Sequence, residues 1–169
     1  MSEMGRWEAK LRSMFQMVPA RNDMPAVVFD LFYSGGFGDD IDLLAEAIED
    51  AWTASEFPQR LVDADCWIEF FNEAGFIENG RVAPHPKSVP PLYRSAADPY
   101  AYGLSWTEDY EQAEWFYRRN VDYFGFPSKL LRLDNPDPVD VLAKFHSARN
   151  EAEWVLRPDG TDQAVEVTL

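Results

Sequence analysis

The sequence predicts an α+β fold, helical over residues 1–80 and β-rich over residues 91–169. Three observations carry that expectation. Before residue 75, apolar residues recur at helical spacing behind acidic caps. Between residues 84 and 91 four prolines, Pro84, Pro86, Pro90 and Pro91, deny both helix and ladder donors. After residue 91 the apolar residues come in short runs bounded by turn residues, as strands do. At 169 residues the chain has the length of a single domain, 1–169.

Each element has its own signal. Trp7, Leu11, Met14, Phe15 and Val18 fit a short amphipathic helix over residues 5–17, ended by Pro19 and Pro25. Residues 27–33 are apolar almost throughout and suit a strand or a helical turn equally. The glycine cluster after them lacks the Lys-Ser/Thr ending of a phosphate loop and the spacing of a dinucleotide fingerprint, so it is a turn. Asp39 or Asp40 caps a helix over residues 41–54, with Ile41, Leu44, Ala45, Ile48 and Trp52 on one face. A further helix over about residues 59–74 turns Leu61, Val62, Ala64, Trp67, Ile68 and Phe71 inward and stops at Gly75. Residues 77–91 form an extended connector, which is the internal boundary.

Beyond the connector, residues 92–94 and 103–107 are strand-like. Thr107 caps a helix over residues 108–119, with Glu108 and Asp109 at its positive end and Ala113, Phe116 and Tyr117 on its inner face. Residues 129–133 form a strand. Residues 139–145 return as a short helix or a strand, and residues 153–156 form another strand. Val165, Val167 and Leu169 alternate along a final edge strand.

Composition narrows the function. Fifteen Lys and Arg face thirty Asp and Glu, for a net charge of −15. Such a surface repels phosphate backbones, which argues against sequence-general nucleic-acid binding, and it speeds encounter with a basic partner or serves solubility alone. Cys66 is the single cysteine, so a disulfide framework and a multi-cysteine zinc site are excluded. It lies in an apolar stretch and is expected to be buried filler. No His, Asp or Glu cluster has metal-ligand spacing, so no metal is expected. The N-terminus has scattered charges and no long apolar core, and no segment has the length and apolarity of a membrane span. A soluble cytoplasmic protein is therefore expected.

Three polar motifs stand at the edges of apolar strands. Arg94 ends Leu92-Tyr93-Arg94. Ser105-Trp106-Thr107 follows Gly103. Glu151-Ala152-Glu153 opens the strand at 153–156. In that order, over residues 91–158, they resemble the Arg–Ser–Glu branch of the ADP-ribosyltransferase family, and they look like small phage and actinobacterial proteins with a Gly-Leu/Met-Ser-Trp-Thr motif. One departure is Ser95, where the family usually has glycine.

The resemblance implies a split antiparallel sheet as the core of residues 91–169. It also implies mono-ADP-ribosyl transfer from NAD, used as a substrate, to a protein side chain. Breaking the nicotinamide–ribose bond passes through an oxocarbenium-like state that needs a carboxylate beside it. Glu153 takes that catalytic role by resemblance, and Glu151 faces the incoming nucleophile, with arginine the implied acceptor. Arg94, Ser105, Trp106 and Thr107 are the implied cofactor-binding residues. Phe145, His146 and Arg149, in the stretch before the glutamate pair, are implied to recognise the target, a basic or arginine-bearing protein, with core or loop packing the other reading of Phe145 and His146. Trp106, Trp115 and Phe116 could stack on nicotinamide, with core packing the other reading of Trp115 and Phe116. For a phage-encoded protein the compartment would be the host cytoplasm. Two other functions stay open: a non-catalytic acidic inhibitor of phage type that blocks a basic partner, and NAD hydrolysis with water as acceptor.

Overall fold

The computed structural model describes residues 5–146 and 152–169. Among them the chain forms five α-helices and eight strands, an α+β protein. It divides into two compact units, Met1–Ala83 and Pro84–Leu169, and the division falls at the start of the proline-rich stretch.

The first unit holds α1 (Arg6–Phe15), α2 (Met24–Tyr33), α3 (Ile41–Ala54) and α4 (Ala64–Ala74), then a short hairpin of β1 (Ile77–Glu78) and β2 (Arg81–Val82). Acidic caps set two of the helix starts. The Asp40 side chain accepts the Leu43 N–H at 3.0 Å and the Asp63 side chain accepts the Cys66 N–H at 2.9 Å. Trp52 and Trp67 meet edge-to-face at 5.0 Å, and Phe70 packs on Phe32 at 4.6 Å. Burying a side chain such as Phe70, which has no exposed surface, stabilises the unit by roughly 1.5–3 kcal/mol.

Four expectations need correction here. Pro25 does not end a helix but sits in the first turn of α2, where its missing N–H has no intrahelical partner to lose. The helix expected from about residue 59 begins only at Ala64, and Leu61 is exposed. The connector is shorter than 77–91, because Asn79 and Gly80, both at positive φ, turn β1 back onto β2. Cys66 is half-buried, with the Tyr33 hydroxyl 3.6 Å from its sulfur.

The second unit holds β3 (Leu92–Ala97), β4 (Ser105–Thr107), α5 (Tyr110–Arg118), β5 (Ser128–Leu133), β6 (Val141–His146), β7 (Ala152–Leu156) and β8 (Val165–Glu166). Its strands lie in the order β6-β7-β4-β3-β5-β8 and pair antiparallel. Residues 139–145, open to either assignment in the sequence, resolve as a 3-10 turn followed by β6. The last strand is an edge strand of two residues, with Val165 exposed rather than turned inward. Asp109, not Thr107, caps α5: its side chain accepts the Gln112 N–H at 3.1 Å. Thr107 sits one step earlier, accepting the Asp109 N–H and donating its hydroxyl to Gln112 Oε1 at 2.9 Å. His85 donates its Nδ1–H to the Pro138 carbonyl at 3.0 Å.

Candidate active site

Antiparallel register puts directly opposed residues on one face of a sheet, and residues two apart on a strand share that face. Tyr93 opposes Thr107, Thr107 opposes Glu153, and Ser105 opposes Val155. Tyr93, Ser95, Ser105, Thr107 and Glu153 therefore share one face of β3, β4 and β7. Gln112, Ala113 and Phe116 of α5 join them around a cavity of about 330 Å³. Tyr93 and Tyr110 meet edge-to-face at 5.3 Å and help tie α5 to that face. The volume is at the lower end of the roughly 300–1,000 Å³ of small-molecule sites, with a few polar groups set between aromatic walls.

One short contact in the cavity joins two residues 48 apart in sequence. Ser105 Oγ donates to Glu153 Oε1 at 2.6 Å, a charge-assisted bond that fixes one carboxylate oxygen.

Arg94 reaches the cavity by a less obvious route. Alternation along β3 would send its side chain to the opposite face. Among the described residues, however, β3 and β4 share the single register pair Tyr93↔Thr107. Past that pair the strands part, and the guanidinium fills the gap. Its Nη1 donates to the Ser105 carbonyl at 2.6 Å, its Nε to the Ala101 carbonyl at 2.9 Å and its Nη2 to the Tyr100 carbonyl at 2.9 Å. Three of its five N–H groups are thus spent on the chain that leads into β4. Burial lowers its pKa to about 10 and the Glu153 carboxylate opposes the shift, so it is charged at neutral pH. Gly103 lies directly beneath it: a Cβ there would stand 2.2 Å from Arg94 Nη2 and 2.7 Å from its Cζ. The glycine before Ser105 is the space the guanidinium occupies.

The structure thus brings Arg94, Ser105, Thr107 and Glu153 together, and it separates others from them. The Trp106 indole is buried on the opposite face across from Trp154, with its Nε1 donating to the Gly103 carbonyl at 3.0 Å, so only its backbone reaches the cavity. Phe145, expected at a recognition surface, stands opposite Glu153 on the same sheet face but has no exposed surface, so it packs there and does not meet a target. His146 is exposed at the end of β6. Arg149 and Glu151 lie outside the described residues. Of the three aromatics considered for stacking, Phe116 lines the cavity, the Trp106 indole is turned to the opposite face, and Trp115 stands outside the cavity, edge-on to Phe116 at 4.9 Å.

Tyr93, Ser95 and Gln112 were not expected as site residues, Ser95 being noted only as a departure from glycine. For the first two a signal existed: had β3 been extended past Arg94, period-2 alternation would have set Tyr93 and Ser95 on one face. Gln112 carries none.

Among the described residues, no three His, Cys, Asp or Glu side chains come together as a metal site, and no helix is long and apolar enough to cross a membrane. No family model, curated protein or solved structure matches the chain.

Proposed function

We propose that the protein is an NAD-dependent mono-ADP-ribosyltransferase whose catalytic carboxylate is Glu153. The observation that carries this is the hydrogen bond from Ser105 Oγ to Glu153 Oε1 at 2.6 Å, inside a cavity bordered by Arg94. It supports the proposal because the Arg, Ser and Glu motifs of the resembled family, scattered over sixty residues of sequence, meet at neighbouring strands around one space.

The chemistry follows from those groups. The bond between the nicotinamide nitrogen and ribose C1′ breaks, and its electron pair leaves with neutral nicotinamide. Positive charge develops over C1′ and the ring oxygen. The Glu153 carboxylate, oriented by Ser105, stands beside the ribose and stabilises that charge. An acceptor nucleophile on a target protein then bonds to C1′ and its proton passes to Glu151, which also positions the nucleophile, and from there to solvent. Phe116 and Tyr93 offer aromatic surface for the flat nicotinamide ring. The acidic surface, at a net charge of −15, suits a basic or arginine-bearing target.

The test is incubation of the full chain with NAD labelled in the adenylate half and a mixture of basic proteins. Label should become attached to protein with the parent chain and not with Glu153→Gln. Free ADP-ribose without attached label would make the protein an NAD glycohydrolase. No cleavage, with Glu153→Gln keeping the full biological effect, would make it an acidic binding protein.

A further inference from the structure

Every exposed aromatic side chain of the second unit, among the described residues, lies between residues 100 and 126. Five of them follow one another along one stretch of chain: Trp115 and Phe116 near the end of α5, then Tyr123, Phe124 and Phe126 just past it. A single exposed ring needs no explanation, but exposed aromatic surface gathered in one place marks an interaction site.

The backbone builds this ridge. α5 runs into a π-helical turn, Arg119–Tyr123, a rare geometry found frequently at functional sites. The Phe124 N–H then donates to the Arg119 carbonyl at 3.2 Å and the Phe126 N–H to the Asn120 carbonyl at 2.8 Å, and the Phe124 and Phe126 rings stack at 5.8 Å. Trp115, Arg118, Arg119, Asp122 and Tyr123 line an open groove of about 520 Å³. The ridge is continuous with the active-site cavity, because Trp115 meets Phe116 edge-on and Phe116 lines that cavity.

Charge, and what already lies on the rings, narrow the occupant. The Arg119 guanidinium stands 5.3 Å from the ring centroids of both Trp115 and Phe124, so this ridge already holds one cation on its aromatic faces. Tyr123 and Phe126 have no cation over them among the described residues. Arg118 is ion-paired with Glu114 at 2.7 Å, and Asp122 adds a carboxylate to the groove. Residues 98–128 together hold six acids and two bases, a net −4. A nucleic acid would be repelled by that charge, and a wholly apolar partner would strip water from the Asp122 carboxylate without replacing it. A cationic segment meets neither obstacle. Arginine suits it better than lysine, because a guanidinium is flat, weakly hydrated and stacks on aromatic faces.

We propose that the ridge docks an arginine-rich segment of the target protein, with guanidinium groups on the faces of Tyr123 and Phe126 and beside Asp122. Docking there brings the target to the edge of the cavity that holds Glu153. That the docked protein is the one modified rests on the transferase proposal above, whereas the docking itself needs no NAD and is tested without it.

The experiment titrates an arginine nonapeptide and a lysine nonapeptide, equal in charge, calorimetrically into four full-length proteins: the parent, Tyr123→Leu, Tyr123→Phe, and Tyr123→Leu combined with Phe126→Leu. None of these substitutions changes the charge of the protein, and leucine keeps apolar area while removing the ring. Tyr123 is 80% exposed, so Tyr123→Leu should melt within a few degrees of the parent. An exposed cation–π contact is worth about twofold to fivefold in affinity. The arginine peptide should bind the parent more tightly than the lysine peptide does. Its affinity should fall by about twofold to fivefold in Tyr123→Leu and by about tenfold in the double variant, and stay at the parent's value in Tyr123→Phe. Equal binding of the arginine peptide by all four proteins would mean that net charge alone attracts it, and overturns the inference. So does a parent that binds neither peptide. So does a parent that sediments as a dimer while the double variant sediments as a monomer, because the ridge would then join two copies of the chain. Ring-dependent docking by a parent that releases no nicotinamide from NAD keeps the inference of an arginine-docking ridge and overturns the transferase proposal. Nicotinamide release without docking does the reverse.

Discussion

Replacing Gly103 by alanine should destabilise the second unit through one group only, the Arg94 guanidinium, and this can be worked out from the geometry. The new Cβ would meet Nη2 at 2.2 Å and Cζ at 2.7 Å, so the guanidinium must leave its place. Leaving breaks three hydrogen bonds, to the carbonyls of Tyr100, Ala101 and Ser105. Bonds to a charged group are worth about 1.5–3 kcal/mol each, and carbonyls released near the surface regain part of that from water, so the net loss is about 3 kcal/mol. For a chain of this size that is roughly 6–12 °C in melting temperature. Arg94→Ala should cost about as much, because it empties the same place. The double variant should then cost no more than either single one, a coupling of about 3 kcal/mol in a double-mutant cycle. Thermal melting followed by calorimetry of the four proteins measures it. Additive losses would refute the reasoning, since Gly103 would then matter for its backbone and not for the space beneath Arg94.

Glu49 should show a pH signature. Its carboxyl is raised above the usual range, by burial first and by the neighbouring Asp50 charge second. A carboxyl raised in the folded state weakens the fold wherever it is ionised, and that cost disappears as pH falls through the raised pKa and the group protonates. Glu49→Gln should therefore melt higher than the parent at pH 7, with the gain shrinking towards pH 4. A gain that is the same at both pH values would contradict the assignment. At the start of α5, Asp109→Ala should cost about 1 kcal/mol as a lost cap. Thr107→Ala should cost less in stability, because its hydroxyl serves the turn before the helix, and equal losses in urea denaturation would return the cap to Thr107.

What could be seen in sequence was local, and what could not was tertiary. The start of α3 was legible because Asp40 sits just before an apolar-periodic run, and a cap needs nothing beyond its own helix; the cap at Asp63 was passed over, so the next helix was expected from about residue 59 and not from Ala64. Residues 27–33 were ambiguous for a physical reason: a short apolar run broken only by Asp30 has no clear period, and it suits a strand or a helix equally. The β1–β2 turn was legible and was passed over, since Asn79-Gly80 is the dipeptide such hairpins favour, but the prolines just after it dominate the segment. At the site, the residue types of Arg94, Ser105 and Glu153 could be recognised, but not how Arg94 is used. Its partners are main-chain carbonyls, which every sequence has, so only the parting of β3 from β4 reveals them. Gly103 was noted before Ser105, yet its reason lies in a guanidinium nine residues away. Phe145 was misassigned because the segment before the glutamate pair was taken for loop, whereas β6 runs through His146.

The most direct test of Glu153 as the catalytic carboxylate is the rate of nicotinamide release from NAD by the parent chain and by Glu153→Gln under single-turnover conditions. Glutamine keeps the Oε1 acceptor for Ser105 and the shape of the cavity, and removes the charge that would face the oxocarbenium-like state. Transition-state groups of this kind are worth about 10²–10³ in rate, so release should fall by at least about a hundredfold while the melting temperature stays within a few degrees of the parent's. Release at the same rate in both proteins, from equally folded chains, would contradict the role given to Glu153.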